Sequence, residues 1–215
     1  MSDVTAGDDE WLVEPGHPDL DHPKVDRLND PKLPDRLAWN AFRTLSEWDT
    51  DTWVPSLLEA ACGVPNPLSG KQWGDAGVVM WGSGLDSSDT VDLLLDGPEA
   101  AVIVEASFHN DVRADHVLGG LGRALELAAH RRQAGYVLVC PDRPAGAITE
   151  AWLAAGFPEQ SGLNFDALAR AVGWISWRDL GRLALDLAEE ADDIRDELVH
   201  RLVTELQALF PGIEI

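Results

Sequence analysis

A chain of 215 residues, 45% of them hydrophobic, is long enough for one domain with a real core, or one domain with a tail. Its 38 acidic residues against 16 basic ones give a formal charge of −22, so the surface repels phosphate and anionic lipid and disfavours a nucleic-acid partner. No apolar run is long enough to span a membrane, and the opening MSDVTAGDDEW has neither the basic nor the apolar region of a signal peptide.

Residues 1–35 hold five of the thirteen prolines and ten of the acidic residues, which predicts an extended or disordered arm before a folded domain over 36–215. Ala38, Ala41, Phe42, Leu45 and Trp48 then recur at helical spacing. Asp49 to Thr52 reads as a break with capping residues. Pro55 suits the first turn of a second helix over 53–62, and Gly63 ends it. Residues 63–77 read as loop and 78–81 as a strand. Two apolar runs, VDLLL and AVIVEA, follow on either side of the turn Gly97-Pro98-Glu99-Ala100 and predict a hairpin.

A long helix is expected over 112–133, with Val117, Leu121, Leu125 and Ala128 as its apolar stripe. Gly119, Gly120 and Gly122 each lower its stability by about 1 kcal/mol relative to Ala, which makes sense if the helix lies tight on a sheet. Gly135 is expected to end it before a buried strand, YVLVC, at 136–140. Short helices over 148–155 and 165–171 lead to a strand at 172–177. Asp179 is read as the cap of the next helix, and Ile194, Leu198, Leu202, Leu206 and Leu209 mark a last one. This order predicts an α/β fold: a central mixed β-sheet of four to five strands flanked by helices, with the strands at 101–107 and 136–140 parallel through a crossover.

The chemistry centres on the hairpin. With a four-residue loop, Asp96 pairs with Ala101 and Asp92 falls opposite Glu105. Like charges facing each other across strands destabilise the pair, and burial raises the cost unless something neutralises them. A divalent metal ion is the usual neutraliser of paired carboxylates, because hard cations take oxygen ligands. Held there, an ion would lower the pKa of a bound water and stabilise charge on a phosphodiester. Ser107 shares the Glu105 face by strand alternation.

Several tempting residues have plainer readings. His109 and His116, with Asp111 and Asp115, lie on or near the long helix, but no zinc spacing of His or Cys occurs. Gly119-Gly120-Leu121-Gly122 falls inside a helix and is no phosphate loop. Cys62 and Cys140, each in an apolar segment, read as free thiols in a reducing cytoplasm. Trp152, Trp174 and Trp177 read as core, while Trp73 and Trp81 in loop-like context read as exposed contacts.

WVPSLLEAACG (53–63), VDLLL, VIVEAS, VRADHVLGGLGRAL and ISWRDL (175–180), in that order, resemble the PD-(D/E)XK nuclease superfamily over about residues 36–210. The resemblance implies a restriction-endonuclease-like sandwich. It assigns Asp92 and Glu105 to the motif acids that hold Mg2+ or Mn2+, Glu59 to the acidic residue many members carry on an early helix, and His116 to a helix position often held by glutamine. The chain departs from the pattern at Glu105-Ala106-Ser107, where the family has Glu-x-Lys, so Ser107 stands at the lysine position. An active Mg2+-dependent DNA endonuclease would need a migrated cation, with Arg113 and Lys71 as candidates. Arginine stays protonated and could only hold phosphate. The expectation is therefore a degenerate cytoplasmic relative that binds a protein partner, in the genome-defence or mobile-element setting that the resemblance suggests.

Overall fold

The computed structural model describes residues 34–63, 66–80, 91–109, 119–120, 122–124, 126–127, 133–141, 172–189, 193–212 and 215. Residues 1–33 of the expected arm over 1–35 lie outside these residues, while Pro34 and Asp35 already belong to the first helix; the expected helices at 148–155 and 165–171, and Trp81, Arg113, His116 and Trp152, also lie outside.

Helix α1 (Pro34–Leu45) and helix α2 (Thr50–Cys62) form the first pair. Every third or fourth residue of α1 is apolar, so Leu37, Ala38, Ala41, Phe42 and Leu45 share one fully buried face. In α2 that face is Trp53, Val54, Leu57, Leu58 and Ala61. The helix begins earlier than the sequence suggested, at Thr50, which places Pro55 beyond the first turn. Gly63 closes it with φ 78°, a left-handed conformation that glycine adopts without a Cβ penalty.

Five strands make one mixed sheet in the order β1-β2-β3-β4-β5: β1 (Gly77–Met80), β2 (Leu93–Asp96), β3 (Ala100–Ala106), β4 (Gln133–Cys140) and β5 (Val172–Ser176). The first three pair antiparallel, and β3, β4 and β5 pair parallel. The hairpin register is the one its turn dictates, with Asp96 opposite Ala101 and Gly97 N–H donating to the Ala100 carbonyl at 2.9 Å. Strands β3 and β4 are buried along almost their whole length, as parallel strands covered on both faces must be. Strand β4 also starts before its expected position. Gln133, Ala134 and Gly135 pair with Ala100, Ala101 and Val102, so Gly135 is a mid-strand residue and ends no helix. Local propensity read that glycine as a stop, but the ladder of a neighbouring strand outweighs it.

Alternation sends the two faces of the sheet to different layers. Leu93, Leu95, Val102, Val104, Val137 and Val139 face the main core with α1 and α2. That core is completed by helix α3 (Trp177–Ala188) and helix α4 (Asp193–Leu209), through Trp177, Leu180, Ala184, Val199, Leu202 and Leu206. The opposite face carries Ile103, Tyr136, Leu138 and Cys140. It packs against Ala124 and Leu127 of the crossover helix, whose described residues between 119 and 127 are helical. The protein is thus an α/β fold with helices on both faces of a mixed sheet.

Three further expectations change in three dimensions. The cap of α3 is Ser176, whose Oγ accepts from the Asp179 N–H at 3.0 Å and donates to its carboxylate at 2.6 Å, so Asp179 is the reciprocal partner in the first turn and not the cap itself. Trp73 is fully buried; its indole N–H donates to the Leu68 carbonyl at 3.0 Å, and Thr50 Oγ1 donates to its carbonyl oxygen. Ile194, counted into the apolar stripe of the last helix, is 74% exposed, because the stripe meets the core only from the next turn on.

Candidate functional site

Glu105 is the penultimate residue of β3 and points to the crossover-helix face, the side opposite Val102 and Val104. Its side chain is only 3% exposed. A carboxylate so placed needs its oxygens satisfied, because an unpaired buried charge is prohibitively unfavourable. Both are. The Arg123 guanidinium donates to Oε1, and the Tyr136 hydroxyl donates to Oε2 at 3.0 Å. Arg123 comes from the crossover helix and is itself 14% exposed. Tyr136 comes from β4, on the same face as Glu105 and two residues before Leu138, the parallel partner of Glu105.

One glycine permits this assembly. A Cβ on Gly120 would lie 2.8 Å from Tyr136 Cζ, closer still to Cε2, and 3.0 Å from Glu105 Oε2. The helix backbone therefore rests directly on the ring and the carboxylate. One turn on, the same helix face presents Arg123 and Ala124 to the sheet. Gly119 and Gly122 differ, since a Cβ there meets nothing within 4 Å among the described residues. Leu121 and Leu125 of the expected stripe lie outside those residues.

Asp92 sits one position beyond the last rung of the β2–β3 ladder, where Leu93 pairs with Val104. The next rung would oppose it to Glu105. Its Oδ2 accepts the Ala106 N–H at 2.9 Å, so the side chain takes over the ladder where the backbone of β2 stops. The electrostatics tie the group together. Burial, the Glu105 charge and the hydrogen bond to Glu105 push the Tyr136 pKa well above its ordinary value, and Asp92 adds to the effect while Arg123 opposes it. Tyr136 is accordingly a neutral donor.

The other anticipated residues are elsewhere. Glu59 is exposed on α2, in a groove with Ser56, Asp179, Arg182 and Asp186, among helices packed on the other face of the sheet. It is not brought together with Glu105. Ser107 follows the end of β3, where its N–H donates to the Val139 carbonyl at 2.7 Å. Its hydroxyl closes a local turn with His109, donating to the carbonyl at 3.1 Å and accepting from the N–H at 3.3 Å. The Trp177 indole pins the Ser107 carbonyl at 2.9 Å. Lys71 pairs with Glu99 at 3.4 Å beside the β2–β3 turn, at the far end of the hairpin from Glu105.

Whether this arrangement suits a divalent ion is decided by Glu105. Each of its oxygens already has a strong donor, one of them cationic, and the Gly120 backbone closes on Oε2. An ion would have to share these oxygens with the buried Arg123 guanidinium, whose like charge repels it, so the residues as arranged do not fit one. Among the described residues no group of three or more His, Cys, Asp or Glu side chains is placed to hold a metal. Sequence reasoning missed Arg123 and Tyr136. Two signals could have raised them: the chain's only tyrosine lies in an apolar run that reads as a buried strand, and a buried hydroxyl needs a partner; and Arg123 follows Gly120 at the helical spacing of one face.

No family model matches the chain, and no curated protein matches it. Among solved structures, the small subunit of the heterodimeric restriction endonuclease R.BspD6I is similar over 87% of this chain and 88% of that one, at 12% identity and a TM-score of 0.39. Among the described residues no helix is long and apolar enough to cross a membrane.

Proposed function

We propose that this chain is a nuclease-like α/β protein that has lost phosphodiester hydrolysis and acts by binding a protein partner. The observation that carries the reading is the engagement of Glu105, which is buried with one oxygen on Arg123 and the other on Tyr136. A carboxylate held by internal partners serves the fold in place of the reaction. Ser107 supports the same reading. Its hydroxyl is spent on the His109 turn, at the position where the resembling superfamily carries lysine. The net charge of −22 favours a protein over a nucleic acid as partner, since a nucleic-acid groove is normally basic. A role in genome defence or a mobile element is the setting the resemblance adds.

The rival reading is an active Mg2+-dependent endonuclease with a migrated cation. One observation favours it: Arg123 does stand beside Glu105. Incubation of single- and double-stranded DNA with Mg2+ or Mn2+, at low and at molar salt, separates the two. No cleavage is expected. Cleavage by the wild type that Asp92→Ala and Glu105→Gln both abolish would overturn the proposal in favour of the rival.

A further inference from the structure

Two carboxylates brought to one end of a hairpin, one of them buried, must be neutralised by something. Charge alone would let a divalent ion do it. The structure offers another candidate already covalently part of the chain. Arg123 lies on Glu105 Oε1 from the crossover helix, Tyr136 fills Oε2 as a neutral donor, and Asp92 Oδ2 is committed to the Ala106 N–H. Gly120 lets the helix come close enough for Arg123 to reach.

We infer that the Arg123 guanidinium is the built-in counter-ion of the Asp92–Glu105 end of the hairpin, standing where a divalent cation would otherwise be held. The consequence is that the chain folds without a divalent ion at this place and binds none there. Guanidinium suits the position because it stays charged at every accessible pH and presents several N–H donors in a fixed plane, whereas an ion would need oxygen ligands at about 2.0–2.6 Å that are here turned to other partners. Displacing Arg123 would leave a buried guanidinium without its carboxylate, which opposes binding of the ion. The inference shares the Glu105 geometry that carries the proposed function and goes beyond that reading to the metal state of the site.

The test starts with metal-stripped full-length protein and Mn2+ as the probe, followed by electron paramagnetic resonance and by melting temperature. Wild type and Glu105→Gln are expected to show the same Mn2+ isotherm, set by the acidic surface alone. Arg123→Ala should melt lower than wild type in chelator and regain part of the loss with Mn2+. The Arg123→Ala, Glu105→Gln double variant should show no such recovery. A wild-type Mn2+ site that disappears in Glu105→Gln overturns the inference, and so does an Arg123→Ala variant as stable as wild type in chelator. Should Arg123→Ala not fold, Arg123→Lys keeps the charge and is expected to fold in chelator; a Mn2+ requirement for that variant would overturn the inference too. An inactive protein that binds Mn2+ through Glu105 sinks this inference and leaves the proposed function standing, while DNA cleavage in chelator does the reverse.

Discussion

Replacing Gly120 by alanine should destabilise the protein, although the same change two residues later should stabilise it. Propensity alone favours alanine by about 1 kcal/mol at each helical glycine. At Gly122 nothing described lies within 4 Å of the new methyl, so that gain should appear nearly whole. At Gly120 the methyl would sit 2.8 Å from Tyr136 Cζ and 3.0 Å from Glu105 Oε2, inside ordinary van der Waals contact on two sides. Tyr136 cannot easily give way, because it is fully buried and its hydroxyl is bonded to Glu105 at 3.0 Å. Overpacking of this kind costs about 1–3 kcal/mol, and losing a hydrogen bond to a charged group about 1.5–3 more. After subtracting the propensity gain, the net loss for Gly120→Ala is about 1.5–5 kcal/mol. In a domain of this size that lowers the melting temperature by about 3–20 °C. Urea unfolding followed by tryptophan fluorescence measures both variants. A Gly120→Ala protein as stable as wild type would refute the close seating of the crossover helix, and with it the enclosure of Glu105.

The ion pair itself can be tested by a double-mutant cycle. Arg123→Met and Glu105→Gln should each cost about 3–5 kcal/mol, and the double variant clearly less than their sum, because each single change strands a buried partner; additive losses would contradict the contact. Tyr136 is the chain's only tyrosine, so phenolate absorbance reports it alone. Its pKa is raised in the folded state, so below the ordinary value of 10.0 both states keep its proton and Tyr136 adds no pH dependence to stability. Above it only the unfolded chain releases the proton, and stability falls as pH rises. Phenolate absorbance should therefore appear together with unfolding, and a reversible titration near pH 10 in the folded protein would contradict the Glu105 contact. Burial raises the Cys62 thiol to about 11. Its labelling by a thiol reagent at pH 8 should thus be much slower in native protein than in urea, and equal rates would count against that burial.

Local sequence was enough for the hairpin, for helices α1 to α4 and for the mixed order of the sheet. The turn at Gly97–Ala100 sets the pairing of Asp96 with Ala101, because side chains alternate with period two and the loop length leaves one register. The apolar faces of α1 and α2 follow from helical periodicity in the same way. That Asp92 and Glu105 approach one end of the hairpin was therefore legible in the chain before any fold existed. What surrounds Glu105 was not. Arg123 is eighteen residues away and Tyr136 thirty-one, on elements whose approach depends on how the crossover helix settles on the sheet. Periodicity states which face of an element is apolar, but not which neighbour that face meets. For that reason Glu59, close to the pair by motif order, lands across the sheet from it, and Trp73 passes from presumed surface into the core. Gly119, Gly120 and Gly122 are equivalent by propensity, and only the tertiary contact of Gly120 with Tyr136 and Glu105 separates it from the other two. The pairing and register of the hairpin are short-range consequences of the chain, while the ladder that takes in Gly135 and the identity of the buried counter-ion are decided by packing between distant elements.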